Sequence, residues 1–269
     1  MPMSPRKRAQ AFRGVQYGIL VLAVAAVAFF ADWEKFGNAF FNFDAMGTQF
    51  PGIITTALVN TIIYTGLGFA LGLALGLVLA LMKLSSVAPY RWIATVYIEF
   101  FRGVPALLVF IALGFGVPLA FQIQFDTYST AAIALGLVGS GYIAETLRAG
   151  IQAVPKGQVE AARSLGMSQS RAMVTVVIPQ AFRIILPPLT NELILLTKDS
   201  SLIYILGLLD TQYELAKFGR EGMNATNSMS PILLAGACYL LITVPLGYLS
   251  RYLERRAGRK RDEGLEVTA

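Results

Sequence analysis

The sequence predicts an all-α, polytopic membrane protein with about six transmembrane helices, and three observations lead there. The 269 residues are 55% hydrophobic and only 14% charged, with a mean hydropathy of +0.61, a balance no soluble core of this length requires. Uncharged runs long enough to cross a hydrocarbon core recur along the chain. The basic residues gather in short segments beside those runs, a placement that orients a membrane protein and argues against a nucleic-acid surface. The same composition removes several chemistries. Histidine is absent and Cys238 is the single cysteine. Zinc-type centres and His-based acid–base catalysis therefore lack their usual groups, and an intramolecular disulfide is excluded. No catalytic residue and no metal ligand is expected.

Residues 1–13 carry Arg6, Lys7, Arg8 and Arg13, and the uncharged run from Gly14 to Ala31 is just long enough for a first span. A signal peptide is the rival reading, because a basic head precedes Ala26 and Ala28 in an A-x-A arrangement. Either way residue 32 lies outside. The Phe- and Trp-rich stretch from Asp32 to Asp44 then reads as an external loop in the membrane interface. Ala45 to Met82 contains no charge and as one helix would be roughly 57 Å long. A break is expected at Pro51-Gly52, followed by a second span from Ile53 to Met82. Within it Gly68, Gly72 and Gly76 recur every fourth residue, the spacing that lets a second helix backbone come close.

Lys83 to Arg91 turns the chain on the cytosolic side. Trp92 to Arg102 is expected as an interfacial helix or a buried entry turn, in which Glu99 and Arg102, three apart, can pair on one face. Val104 to Phe121 forms a third span and Thr127 to Ala144 a fourth. Ile184 to Leu209 is apolar but interrupted by Asn191-Glu192 and Lys198-Asp199, the costliest residues in the chain if they faced lipid. Asn191 and Glu192 are candidates for a substrate pathway; a structural pairing or helix-break cap is the other use for Glu192. Lys198 and Asp199 read as a gate or a helix end. Asp210 to Ser230 is an external connection with room for a short amphipathic helix, Pro231 to Ser250 is the last span, and Arg251 to Arg261 adds six basic residues. This arrangement puts 17 Lys and Arg inside and three outside, Lys35, Lys217 and Arg220, so both termini are cytosolic.

Between the fourth and fifth spans lies the most polar passage, Lys156 to Pro179. Pro155 suits a helix start, Gly166 a stop, and Ser168 a second start, with that second helix ending near Pro179. Val159, Ala162 and Gly166 form a shallow apolar ridge rimmed by Lys156, Glu160 and Arg163, a shape suited to insertion into a partner's cleft. An amphipathic loop lying on the membrane fits the same pattern.

This passage resembles the EAA loop of ABC-importer membrane subunits, in which EAA, three residues, Gly, nine residues and Ile-x-Leu-Pro recur. Here Glu160-Ala161-Ala162 is followed by Gly166 and, after nine residues, by Val176-Val177-Ile178-Pro179. FFRGVPALL (Phe100 to Leu108) is similar to the Phe-Arg-Gly-Thr-Pro-Leu-Leu signature of the polar amino-acid permeases, with Val104 in place of Thr. LPPLTNELILLTKDSSL (Leu186 to Leu202) is similar to their segment after the loop. The resemblance implies a five-helix type I ABC importer core over residues 51–250, with an extra span in 1–50 and a basic tail at 251–269. It implies a permease subunit in a bacterial inner membrane that imports a polar or charged amino acid, of glutamate/glutamine type or basic. The loop, with Lys156, Gly157, Glu160, Ala161, Ala162 and Gly166, would dock a cytosolic ATPase dimer. The sequence has no Gly-Lys dipeptide and hence no phosphate loop. ATP and Mg would be bound by that partner, and this chain is expected to need no cofactor and to be no enzyme. A second permease copy or a sister permease, and an extracytoplasmic solute-binding protein, complete the implied assembly. An ion-coupled secondary transporter or channel acting without an ATPase is the alternative; a membrane scaffold leaves Asn191-Glu192 and Lys198-Asp199 without a purpose.

Overall fold

The computed structural model describes the backbone of residues 5–266 and, apart from residue 11, the side chains of 10–257. Among these residues every regular element is helical. The basic side chains of Arg6, Lys7, Arg8, Arg259, Lys260 and Arg261 lie outside the described residues. Helix α1 (Pro5–Phe30) carries the first expected span, and from Phe12 to Phe30 its side chains are exposed on every side. A helix apolar all round and packed on nothing is one solvated by lipid.

The external loop is itself helical: Asp32 caps α2 (Trp33–Phe40) by accepting from the Lys35 N–H, and Asn42 caps α3 (Phe43–Gly47) by accepting from the Ala45 N–H. Ser228 donates to the Asn38 and Ala39 carbonyls, and the Asn42 N–H donates to Ser230 Oγ at 2.8 Å. These bonds fasten α2 and α3 to the start of the last helix. A π-helical turn, Ile53–Leu58, then leads into α4 (Val59–Leu84), matching the expected second span. Helices α5 (Ala88–Gly103), α6 (Ala106–Ile111) and α7 (Val117–Phe121) follow, the last two joined by a second π-helical turn at Ala112–Gly116. Asp126 caps α8 (Thr127–Gln152).

Helices α4 and α8 run against each other along their length, and the glycines make that possible. A Cβ at Gly72 would lie 3.3 Å from the Gly136 carbonyl oxygen. At Gly76 it would lie 2.8 Å from Ile143 Cγ2 and 3.1 Å from the Ala144 nitrogen. The every-fourth-residue spacing is thus a contact between backbones. The core around this pair takes in Tyr64, Phe110, Leu135, Leu196 and Ile203.

The third span is preceded by a separate helix, as expected, but the ion pair expected there is absent. Trp92 to Arg102 is the greater part of the 16-residue α5, which buries Ala94 and Ile98 against α4 and α8 and exposes Trp92, Ile93, Val96 and Phe100. The chain turns by 103° between α5 and the helices that follow, because Pro105 forces Val104 out of helical geometry. The turn falls at the boundary the sequence places between Arg102 and Val104, and Ala106 to Phe121 continues beyond it as one helical stretch. Glu99 and Arg102 do not pair either: among the described residues no ion pair joins them, and Arg102 instead stacks on the Tyr142 ring of α8 at 5.5 Å.

Helices α9 (Lys156–Ser164) and α10 (Gln169–Ala172) form the polar passage, and α11 (Ile178–Asp199) follows. A 3-10 turn (Ser200–Leu206), α12 (Leu215–Thr226) and α13 (Ser230–Glu266) complete the chain. Helix α12 is the expected amphipathic connection. The last span and the tail as far as Glu266 are one unbroken helix. Among the described residues five helical stretches are long and apolar enough to cross a membrane, or six if the bent pair Ala88–Gly103 and Ala106–Phe121 is one span.

At the end of the bundle that carries α12, the irregular stretch from Gly207 to Glu214 has its backbone satisfied by side chains. Asn60 donates to the Thr211 and Tyr213 carbonyls at 2.9 and 3.0 Å, Tyr64 donates to the Gln212 carbonyl, and the Leu215 N–H donates to Thr61 Oγ1. Buried backbone outside a regular helix needs such partners.

Candidate functional site

The polar passage folds into two short helices joined at Gly166, whose φ of 85° is the left-handed conformation that glycine adopts without strain. Ser168 then accepts from the Arg171 N–H to start α10. Two expectations about this loop change. The ridge of Val159 and Ala162 faces inward: Ala162 is 6% exposed, and Val159 packs on the cluster of Val154, Val177 and Ala181. The face left open one helical row away holds Lys156, Gly157, Glu160 and Ala161, with Gly166 and the 83% exposed Leu165 at its end. Ala162 is therefore a packing residue. Leu165 lay outside the expected set because a single leucine after an amphipathic helix reads as core.

The second helix does not end near Pro179. A π-helical stretch, Met173–Val177, shifts the pairing so that the Ile178 N–H donates to the Met173 carbonyl, and Pro179 falls in the first turn of α11, where its missing N–H costs little. The helical path therefore runs without interruption from Gln169 to Leu206.

Helix α11 carries one wall of a cavity of about 360 Å³. Glu192, Leu195, Leu196 and Asp199 recur on one face, the i, i+3, i+4, i+7 pattern. Opposite them are Val138, Gly139 and Tyr142 of α8 and the bend from Arg102 to Ala106. Gly139 lets α11 approach, since a Cβ there would lie 3.1 Å from Leu196 Cδ1. Tyr142 holds Arg102 twice, by its ring and by a hydrogen bond from its hydroxyl to the Arg102 carbonyl at 3.3 Å. The cavity thus offers one guanidinium and two carboxylates on otherwise apolar walls. That set can compensate a zwitterion taken from water.

The expected pathway pair is split by this geometry. Adjacent helix residues point about 100° apart, and Asn191 is exposed and off the wall while Glu192 is on it. Lys198 and Asp199 divide the same way: no ion pair joins them among the described residues, and Asp199 alone lines the cavity. Arg102 and Tyr142 complete the site. The sequence held a signal for Arg102, in FFRGVPALL, and none for Tyr142. Glu145, a carboxylate the ion-coupled alternative would use, is held between Lys83 at 3.3 Å and Arg148.

Residues 72–259 match the family described as the binding-protein-dependent transport system inner membrane component. The chain belongs to that family. It is a polar amino-acid ABC permease, a membrane-embedded transport subunit. A probable glutamine ABC transporter permease of Bacillus subtilis is 35% identical over 80% of this chain and 95% of its own length. An arginine transport system permease of the same organism is 36% identical over 66% and 80%. An L-cystine transport system permease, also from Bacillus subtilis, is 33% identical over 80% and 91%. Among solved structures, an amino acid ABC transporter with histidines superposes with a TM-score of 0.71 at 35% identity, covering 80% of this chain and 98% of that one.

Proposed function

We propose that this permease is the membrane subunit of an ATP-driven importer that carries a polar or charged amino acid, of glutamate/glutamine type or basic, across the cytoplasmic membrane. The continuous helical path from α10 into α11 is the observation that carries this reading. The exposed face of Lys156, Gly157, Glu160, Ala161 and Gly166, extended by Leu165, docks a cytosolic ATPase dimer. Closure of that dimer displaces α9 and α10, and the displacement reaches Glu192 and Asp199 through an unbroken helix. ATP and Mg belong to the partner, and this chain holds no cofactor.

In the cavity, Arg102 meets the carboxylate of the amino acid and Glu192 or Asp199 its ammonium, the two charges that all such substrates share. The spread of relatives named for glutamine, arginine and L-cystine fits a site built around that common part. Both termini lie in the cytosol, supported by the count of 17 basic residues against three. A solute-binding protein delivers substrate to the opposite face, at residues 32–50 and 210–230, and a second copy or a sister permease closes the pathway. Residues 51–250 form the importer core, with an added span before it and a basic tail after it.

Glu192→Gln tests the cavity. It keeps the shape and removes the charge, so transport-coupled ATPase activity should fall roughly tenfold, as expected for one lost charge-assisted contact, while the complex still assembles. Unchanged uptake would refute the assignment.

A further inference from the structure

At the end of the bundle that carries α9, helices α11 and α13 leave a trough of about 290 Å³ between Phe182, Arg183 and Leu186 on one side and Leu253, Arg256 and Ala257 on the other. Its walls are apolar and a guanidinium stands on each. Among the described residues, neither Arg183 nor Arg256 makes an ion pair. Arg251 is occupied by the Tyr248 ring at 4.5 Å, and neither Glu254 nor Arg255 is part of the wall.

The trough has a fixed floor. Ser250, 3% exposed, donates to the Pro187 carbonyl at 3.3 Å and ties α13 to α11 just beneath it. Pro187 and Pro188 lie inside α11 and supply no N–H to the carbonyls one turn before them, those of Arg183 and Ile184. The rim combines two cationic forks with an apolar wall. Phe182 and Leu249 beside it are 58% and 46% exposed, so the apolar walls continue onto the flank of two membrane spans.

We propose that this trough is a binding site for an anionic phospholipid. The phosphate lies between Arg183 and Arg256, whose planar guanidiniums match its oxygens. The first carbons of the acyl chains lie against Phe182, Leu186 and Leu253. A free phosphate would use the arginines and leave the apolar wall bare; a lipid covers both. Basic pockets between spans at the membrane boundary hold such headgroups. The choice of the inner leaflet rests on the orientation proposed above; the site itself does not.

Native mass spectrometry of the complex, extracted with its partners, tests this with phosphatidylglycerol and phosphatidylethanolamine as probes. Wild type should retain phosphatidylglycerol in preference, and Arg183→Gln and Arg256→Gln should each weaken retention about tenfold, the loss of one charged hydrogen-bonding group. Leu253→Ala, which leaves both charges, should also reduce it. Retention by the double arginine variant equal to wild type, or no preference between the two lipids, would overturn the proposal. Displacement of the lipid by excess inorganic phosphate would do so too, by showing a simple anion site. A probe on Leu253→Cys in a Cys238→Ser background should be quenched by phosphatidylglycerol with brominated acyl chains. Shielding of that probe by the ATPase, or cross-linking to a second copy of this chain, would give the trough to a protein partner and overturn it. None of these readouts depends on transport, so a failed importer assignment and a failed lipid site are separately visible.

Discussion

Glu214 is fully buried where Gly207–Glu214 meets α12, and it accepts hydrogen bonds from the Ala216 N–H at 2.6 Å, the Lys217 N–H at 2.7 Å and the Tyr239 hydroxyl at 3.0 Å. Burial opposes ionisation more strongly than these donors support it, and the carboxyl is pushed up from its ordinary 4.5 to about 7. A raised carboxyl pKa means that the unfolded chain ionises first. Stability then falls as pH rises from about 4.5 to about 7, by about 1.4 kcal/mol per pH unit, and is level above that. Roughly 3 kcal/mol is lost in all, and about 2 kcal/mol of it between about pH 5.5 and about pH 8. At about 2–4 °C per kcal/mol for a chain of this size, the thermal midpoint of the purified protein should drop roughly 4–8 °C over that interval. Glu214→Gln should remove the drop and leave the remaining pH dependence in place. Equal slopes for the two proteins, or a wild type more stable at the higher pH, would show that the three donors hold the carboxylate ionised and that the reasoning is wrong.

Gly76→Val should lower the thermal midpoint by an amount equivalent to about 1–3 kcal/mol, since its added carbons meet Ile143 and the Ala144 backbone; Gly66→Val, with nothing within 4 Å of the new Cβ, should not. Ala161→Arg, on the open face of α9, should abolish co-purification of the ATPase and leave the midpoint of the permease unchanged. Ala162→Arg, one residue on and buried, should destabilise the permease itself, which thermal unfolding in detergent separates from the docking defect.

The long apolar spans, the glycine contact of α4 with α8 and the polar two-helix loop were all legible, because each depends on composition or a fixed helical spacing. The break after α5 was legible too, but its angle was not. Hydropathy marks Val104 to Phe121 as a span whatever its direction, and only the three-dimensional path reveals the 103° turn that brings Arg102 back over the cavity. The π-helical stretch before Pro179 was equally hidden: proline signals a break, and the compensating shift of hydrogen bonds leaves no mark in residue type. Glu192 was readable as a costly charge. Its separation from Asn191 and its union with Asp199 required the helix to be drawn, and the part played by Tyr142 required its neighbour across the bundle. Asp199 was already visible as a charge at a gate or helix end; that it lines the cavity beside Glu192 is seen only in the structure.

The account stands on the claim that this chain converts a partner's ATP hydrolysis into movement of α11. Uptake of labelled amino acids into vesicles reconstituted with the permease, with and without its co-purifying ATPase and with ATP on the ATPase side, tests that claim most directly. Uptake that requires both the ATPase and ATP is the predicted result. Equal uptake by the permease alone, without ATP, would contradict it.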